Sequence, residues 1–258
     1  MQELYRSQHL MAAAKPTILI LLASTMLIWG VAGNRFIGAQ ETFYLLEPSE
    51  DAYVSQYNPG SNYGRDEVVS VRSYRTGMKS FNHRLYLKFN LMQLVPGHQV
   101  VSATLRLFKY IEGGQVGTRK IEVRNVLGEW HETSVTWNSR PDLSEKLTGW
   151  TYVEKAGNWY EWDVTVGVRS WLNENLANNG FCIIDSEEDS SIDYASVFYS
   201  REAYEMYMYR PKLEIKLDTQ IAQTISFNIN PILPIVFAAA VLVFLVIMLK
   251  IRKILRLR

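Results

Sequence analysis

An uncharged apolar run of eighteen residues, Ile232 to Leu249, closes on Lys250, Arg252, Lys253, Arg256 and Arg258, and no other feature constrains this chain as much. About 20 apolar residues of helix match the hydrocarbon thickness of a bilayer. A soluble helix keeps a polar face over such a length, and this run has none. It predicts a transmembrane helix over 231–249. The basic end, 250–258, is expected in the cytoplasm, against anionic headgroups. At the other end Arg6 and Lys15 precede an apolar stretch from Ile18 to Ala32. Small residues at Ile37-Gly38-Ala39 or Val31-Ala32-Gly33 suit cleavage. Residues 1–39 thus read as a signal peptide, or as an uncleaved signal anchor that makes a second span. Both versions place residues 40–218 outside the cell membrane as one domain, with 219–230 as a stalk.

From Glu41 to Asp218 there are 19 Lys and Arg against 25 Asp and Glu, a balance of −6 hidden by the +1 of the whole chain. Nucleic-acid binding wants a basic domain and is not expected. Cys182 is the single cysteine, which excludes an intrachain disulfide. Its apolar setting, Gly180-Phe181-Cys182-Ile183-Ile184, predicts a small buried hydrophobe. An exported domain without disulfides or an Asn-x-Ser/Thr sequon suits a prokaryote.

The domain alternates with period two. Leu85, Leu87 and Phe89 alternate with Arg84, Tyr86 and Lys88. Val101, Ala103, Leu105 and Leu107 alternate with Ser102, Thr104 and Arg106. Tyr160-Trp162-Val164 and Leu213-Ile215-Leu217 repeat the pattern. One apolar face per strand means half-buried β-structure. Turn signals at Asn58-Pro59-Gly60, Asn62-Tyr63-Gly64, Pro96-Gly97, Gly113-Gly114 and Asn179-Gly180 divide it. The expected fold is all-β, a jelly-roll-like antiparallel β-sandwich of two packed sheets. Val164, Val168, Trp171 and Leu172 fall instead at helical spacing, with Asp163 or Thr165 as cap, and predict one short helix.

All six domain tryptophans lie between Trp130 and Trp171. The segment Trp130 to Pro141 has the form W-x-E-x-x-V-T-W-N-x-x-P. Trp130, Trp137 and Trp162 suit the sealing of a core, and Glu132, Thr136 and Asn138 suit loop hydrogen bonds. Asp51-Ala52-Tyr53-Val54, Arg84-Leu85-Tyr86-Leu87-Lys88-Phe89 and Ser102 to Leu107 stand upstream. Trp159 to Thr165, Trp171-Leu172, Asn178 to Phe181, Val197 to Glu202 and Arg210 to Leu213 follow. This ordered series, over roughly Asp51 to Leu217, resembles the DNRLRE-domain family, related to the β-sandwich domains of archaeal disaggregatase-type surface proteins. Some members are carbohydrate-binding modules for acidic polysaccharides such as alginate, so the resemblance implies a glycan-binding sandwich. The chain departs from the family pattern at His83 and at Tyr204 to Tyr209. That last run reads as an exposed adhesive loop or as an interior edge strand.

Sugar recognition needs aromatic platforms and polar groups, and acidic sugars add a need for arginine. With the apolar residues inward, Arg72, Arg84, Tyr86, Lys88 and Arg106 are expected on one outer face, as a cationic platform. Trp150 and Trp159, flanking Lys155 to Asn158, are the aromatic candidates. The acidic run Asp185 to Asp193 offers oxygen ligands to calcium but lacks the EF-hand glycine and glutamate, so no cofactor is expected. His83, His98 and His131 lack metal spacing, and no catalytic elbow or phosphate loop is present. The expected function is a non-catalytic, membrane-anchored module that holds cell-surface polysaccharide. The alternatives are an adhesion protein contacting other envelope components and, third, a polysaccharide-degrading enzyme.

Overall fold

The computed structural model describes residues 41–94, 99–173, 176–218 and 232–255, the side chains of the last segment from 241 to 252. The signal segment, the Pro96-Gly97 turn, His98 and the stalk lie outside the described residues.

The chain runs β1 (Glu41–Leu46), β2 (Glu50–Ser55), β3 (Val68–Ser73), β4 (Arg75–Thr76), β5 (Lys79–Ser80), β6 (His83–Lys88), β7 (Gln99–Glu112), β8 (Arg119–Val126), β9 (Leu143–Val153), β10 (Asn158–Asp163), α1 (Thr165–Asn173), β11 (Phe181–Asp185), β12 (Tyr194–Tyr199), a 3-10 turn (Tyr207–Tyr209), β13 (Lys212–Asp218) and α2 (Ile232–Leu255). The domain is mostly β and antiparallel. Two separate sheets were expected. Eleven of the strands instead form one curled sheet, in the order β1-β13-β7-β12-β3-β6-β11-β8-β9, with β10 also on β7 and β2 also on β6, while β4 and β5 pair apart as a two-stranded sheet. The reason lies in two strands. β7 is long enough to pair with β13, β10 and β12 along its length. β3 then meets β6 through the single pair Arg72 and His83, where the layers join.

Between the layers lies the core predicted from alternation: Leu85, Leu87, Leu105, Leu107, Leu213, Ile215 and Trp162 are buried. Trp162 also donates its Nε1–H to the Ile121 carbonyl at 3.0 Å, so its polar atom is satisfied inside. Val101 departs from the pattern. It is 39% exposed, and Val100 takes the inward place at 2%. The β13–β7 register shifts at this point, and a bulge swaps the faces of neighbouring residues. α1 forms as predicted, over Val100 and Ala103 of β7. Asp163 accepts from the Thr165 N–H at 2.9 Å, and the Thr165 hydroxyl oxygen accepts from the Ala103 N–H at 2.9 Å. Asp163 therefore takes the capping role while Thr165 ties the helix to the sheet.

A second apolar cluster lies outside the sheet. Ala52, Val54, Tyr86, Val126 and Cys182 are roofed by Trp130, Val135 and Trp137 from the loop after β8. The Trp130 Nε1–H donates to the Asn179 carbonyl at 2.8 Å. The Asn62 Nδ2 group donates to the Glu132 and Val135 carbonyls, each at 2.7 Å. Gly64 lies against the Glu132 carbonyl, where any Cβ would collide. Four of the sequence blocks quoted for the family resemblance, at Asp51, Arg84, Asn178 and Val197 to Glu202, thus meet around this loop. Burial pushes the Cys182 thiol up to about 12, consistent with the inert packing residue predicted.

Helix α2 has 24 residues. Among residues described with their side chains, no helix is long and apolar enough to cross a membrane.

Candidate functional site

The expected cationic platform does not exist as one surface. Arg84, Tyr86 and Lys88 do point away from the main core, but the Trp130–Trp137 loop covers them. Tyr86 is fully buried against Trp130, with ring centres 5.6 Å apart. Lys88 Nζ donates to Glu50 at 2.7 Å and to the Trp130 carbonyl at 2.6 Å. Arg84 donates twice to Glu188, at 2.8 and 2.7 Å, and its guanidinium carbon stands 5.2 Å from the Trp137 ring centre. Those hydrogen bonds hold the Arg84 guanidinium more firmly charged than usual. Arg72 is elsewhere again, donating to Asp193 at 2.8 and 2.5 Å beside Phe81. Alternation identifies which residues leave the core, but a covering loop carries no periodic signal.

The same contacts account for the acidic run. Arg119 binds Asp185 and Glu187, Arg84 binds Glu188, Arg72 binds Asp193, and Asn82 donates to Asp189 at 2.7 Å. The oxygens offered to calcium on sequence grounds are engaged by guanidinium and amide donors. Among the described residues no three His, Cys, Asp or Glu side chains converge on a metal position. A further acidic group, Asp51, Glu132 and Glu202, surrounds Arg201. Burial holds the Asp51 carboxyl well above the usual carboxylate range, although the Arg201 N–H donates to it at 2.8 Å. These groups tie the loop down. They do not line the open groove of about 530 Å³ at the end of β6, whose walls include Phe89, Leu91, Met92 and Trp171.

Arg106 and Trp159, both half-buried, come together at a surface that no loop roofs over as Trp130 to Trp137 roofs Tyr86. On β7, Leu105 and Leu107 point inward and Arg106, Phe108 and Tyr110 outward. β10 pairs beside it, setting Trp159 across from Phe108 and Glu161 across from Arg106. The Arg106 guanidinium carbon stands 5.3 Å from the Trp159 ring centre, and its Nε contacts Glu161 at 2.9 Å. Phe108 joins Trp159 edge-on at 5.5 Å and lies 4.2 Å from Tyr209. Tyr199 bridges to Tyr110 at 4.8 Å. The run Tyr204 to Tyr209 is a loop with a 3-10 turn, not a strand. Tyr209 closes over Phe108, while Tyr204 is 81% and Tyr207 61% exposed. Tyr110 is also open to solvent. The sequence reading singled out Tyr209 only within the run Tyr204 to Tyr209 and did not name Phe108, Tyr110 or Tyr199 as site residues, although the outward parity of β7 already carried Phe108 and Tyr110.

Trp150 belongs to another place. It sits on β9 across from Glu122 and packs edge-on against Tyr152 at 5.4 Å. The two candidate tryptophans therefore do not share a cluster.

Both surfaces have the chemistry of sugar recognition: flat rings on rigid strands, flanked by charged donors and acceptors. Residues 42–216, nearly the whole β domain, match the family model of carbohydrate-binding module family 96. Among curated proteins none matches the chain.

Proposed function

As the chain belongs to carbohydrate-binding module family 96, we propose that it is a non-catalytic, membrane-anchored module that holds polysaccharide outside the cell. The observation that carries this reading is the half-buried Trp159 ring with Arg106 stacked on it and Glu161 beside it. A sugar ring sets its C–H face on the indole, and its hydroxyls accept from Arg106 and donate to Glu161. Tyr110, joined through Tyr199 and Tyr209, extends this surface. The ground for the anchor is the uncharged sequence run Ile232 to Leu249, whose eighteen residues would reach ~27 Å as a helix at about 1.5 Å per residue, close to a hydrocarbon core of about 30 Å. The cations from Lys250 onward support a cytoplasmic end, since positive residues gather on that side of a span. A tether suits weak binding because it keeps the module concentrated at the surface.

The test is a glycan array probed with the full chain, with neutral and acidic polysaccharides both present. Binding that is lost in Trp159→Ala and Arg106→Ala supports the reading, and a folded chain that binds no glycan refutes it. A second reading, contact with another envelope protein, is favoured by Phe43 and Leu45. They are 61% and 57% exposed on β1, the strand at the end of the sheet.

A further inference from the structure

The constellation at Trp159 recurs on β8 and β9. Lys120 Nζ stands 5.3 Å from the Trp150 ring centre and 3.0 Å from Glu122 Oε1, matching the 5.3 and 2.9 Å of Arg106 on Trp159 and Glu161. Trp150 is 49% and Tyr152 55% exposed. Ile121 and Val123 are buried between Lys120, Glu122 and Arg124, so the polar groups stand outward from a rigid strand. Glu122 also accepts from Arg124 at 3.0 Å, and Arg124 turns its other nitrogen to the Ser144 and Glu145 carbonyls. Burial opposes the charge on Glu122, but the hydrogen bonds from Lys120 and Arg124 outweigh it and hold the carboxylate ionised.

We propose that Trp150, Tyr152, Lys120 and Glu122 form a second glycan subsite that takes uncharged pyranose rings, so that one domain grips a polysaccharide at two points. This rests on the glycan-binding reading of the Trp159 face. At both places a glutamate pairs with the cation over the indole, and at Trp150 the same Glu122 also holds Arg124, whose other nitrogen is taken by the Ser144 and Glu145 carbonyls. The pair then offers hydroxyl groups a donor and an acceptor rather than an unpaired positive charge for a carboxylate or sulfate. The domain's balance of −6 also works against collecting a polyanion. Two weak sites on one rigid body raise overall avidity without any further contact.

The full chain, in a detergent without a sugar headgroup, is titrated calorimetrically with cellohexaose and chitohexaose, both uncharged, and with a uronate hexamer. The expected result is saturation by a neutral hexasaccharide at two per chain. Trp150→Ala and Trp159→Ala each reduce this to one, while Trp150→Phe keeps two, which separates ring stacking from damage to the fold. Wild type saturating at one, with Trp150→Ala unchanged and Trp159→Ala silent, overturns the second subsite and leaves the Trp159 reading standing. Uronate binding to Trp159→Ala overturns the choice of an uncharged ligand. Failure of all three sugars overturns both proposals.

Discussion

The Arg201 guanidinium donates from one nitrogen, Nη1, to both carboxylate oxygens of Glu132, at 2.9 and 2.7 Å. The contact joins the strand-following turn after β12 to the loop that roofs the second apolar cluster. Glu132 also accepts from the Asp51 N–H at 3.3 Å, so three distant parts of the chain meet at one carboxylate. Glu132→Ala leaves that N–H without its acceptor and leaves the guanidinium to Glu202, at 3.3 Å. A loss of about 1–3 kcal/mol is expected in chemical denaturation. Protease cleavage within the loop should rise as Trp130 and Trp137 loosen, and an unchanged cleavage rate counts against this fastening role.

Trp162 and Trp150 separate core from surface. Trp162 is fully buried and hydrogen-bonded, so Trp162→Ala should cost about 3–5 kcal/mol. Trp150→Ala, at an open position, should stay within about 0.5 kcal/mol of wild type. Equilibrium denaturation of both variants checks the contrast.

His83 predicts an acid-sensitive domain. Burial, and then the Arg72 charge, lower its pKa from the ordinary 6.5 to about 4, and the Ser70 hydroxyl sits 2.7 Å from Nδ1. Between those values the unfolded chain binds a proton that the folded imidazole does not. Stability from this group is full above pH 6.5 and is lost as pH falls toward 4. His83→Asn should flatten the thermal-stability profile across that window. A variant profile parallel to wild type would contradict the assignment.

Arg84 and Arg106 should behave differently under the same substitution. Arg106→Ala removes a group from the Trp159 face, so glycan binding falls while the melting temperature barely moves. Arg84→Ala strands Glu188 and uncovers part of the Trp137 ring, so stability falls by about 1–3 kcal/mol. Paired melting curves and binding isotherms read the two effects apart.

Protease added to intact cells should remove the β domain and leave a membrane-bound fragment carrying Lys250 to Arg258. Full protection of the β domain would reverse the proposed orientation.

By itself the sequence determined the strands β6, β7, β10 and β13, the short helix, the buried thiol and the membership of Trp162 in the core. Each follows from local alternation or composition, and every strand face must choose between water and a packed interior. It also named Arg106, from its outward parity on β7, and Trp159, from its place beside the loop Lys155 to Asn158, but in two different groups. Only the tertiary structure decided that Arg84, Tyr86 and Lys88 lie beneath a second apolar layer, because the loop over them comes from more than forty residues away and obeys no period. Pairing across the sheet likewise set Arg106 onto Trp159 and Lys120 onto Trp150. A cation becomes part of a sugar platform or a loop fastener according to which carboxylate and which ring the fold brings beside it. Residue type alone leaves that choice open.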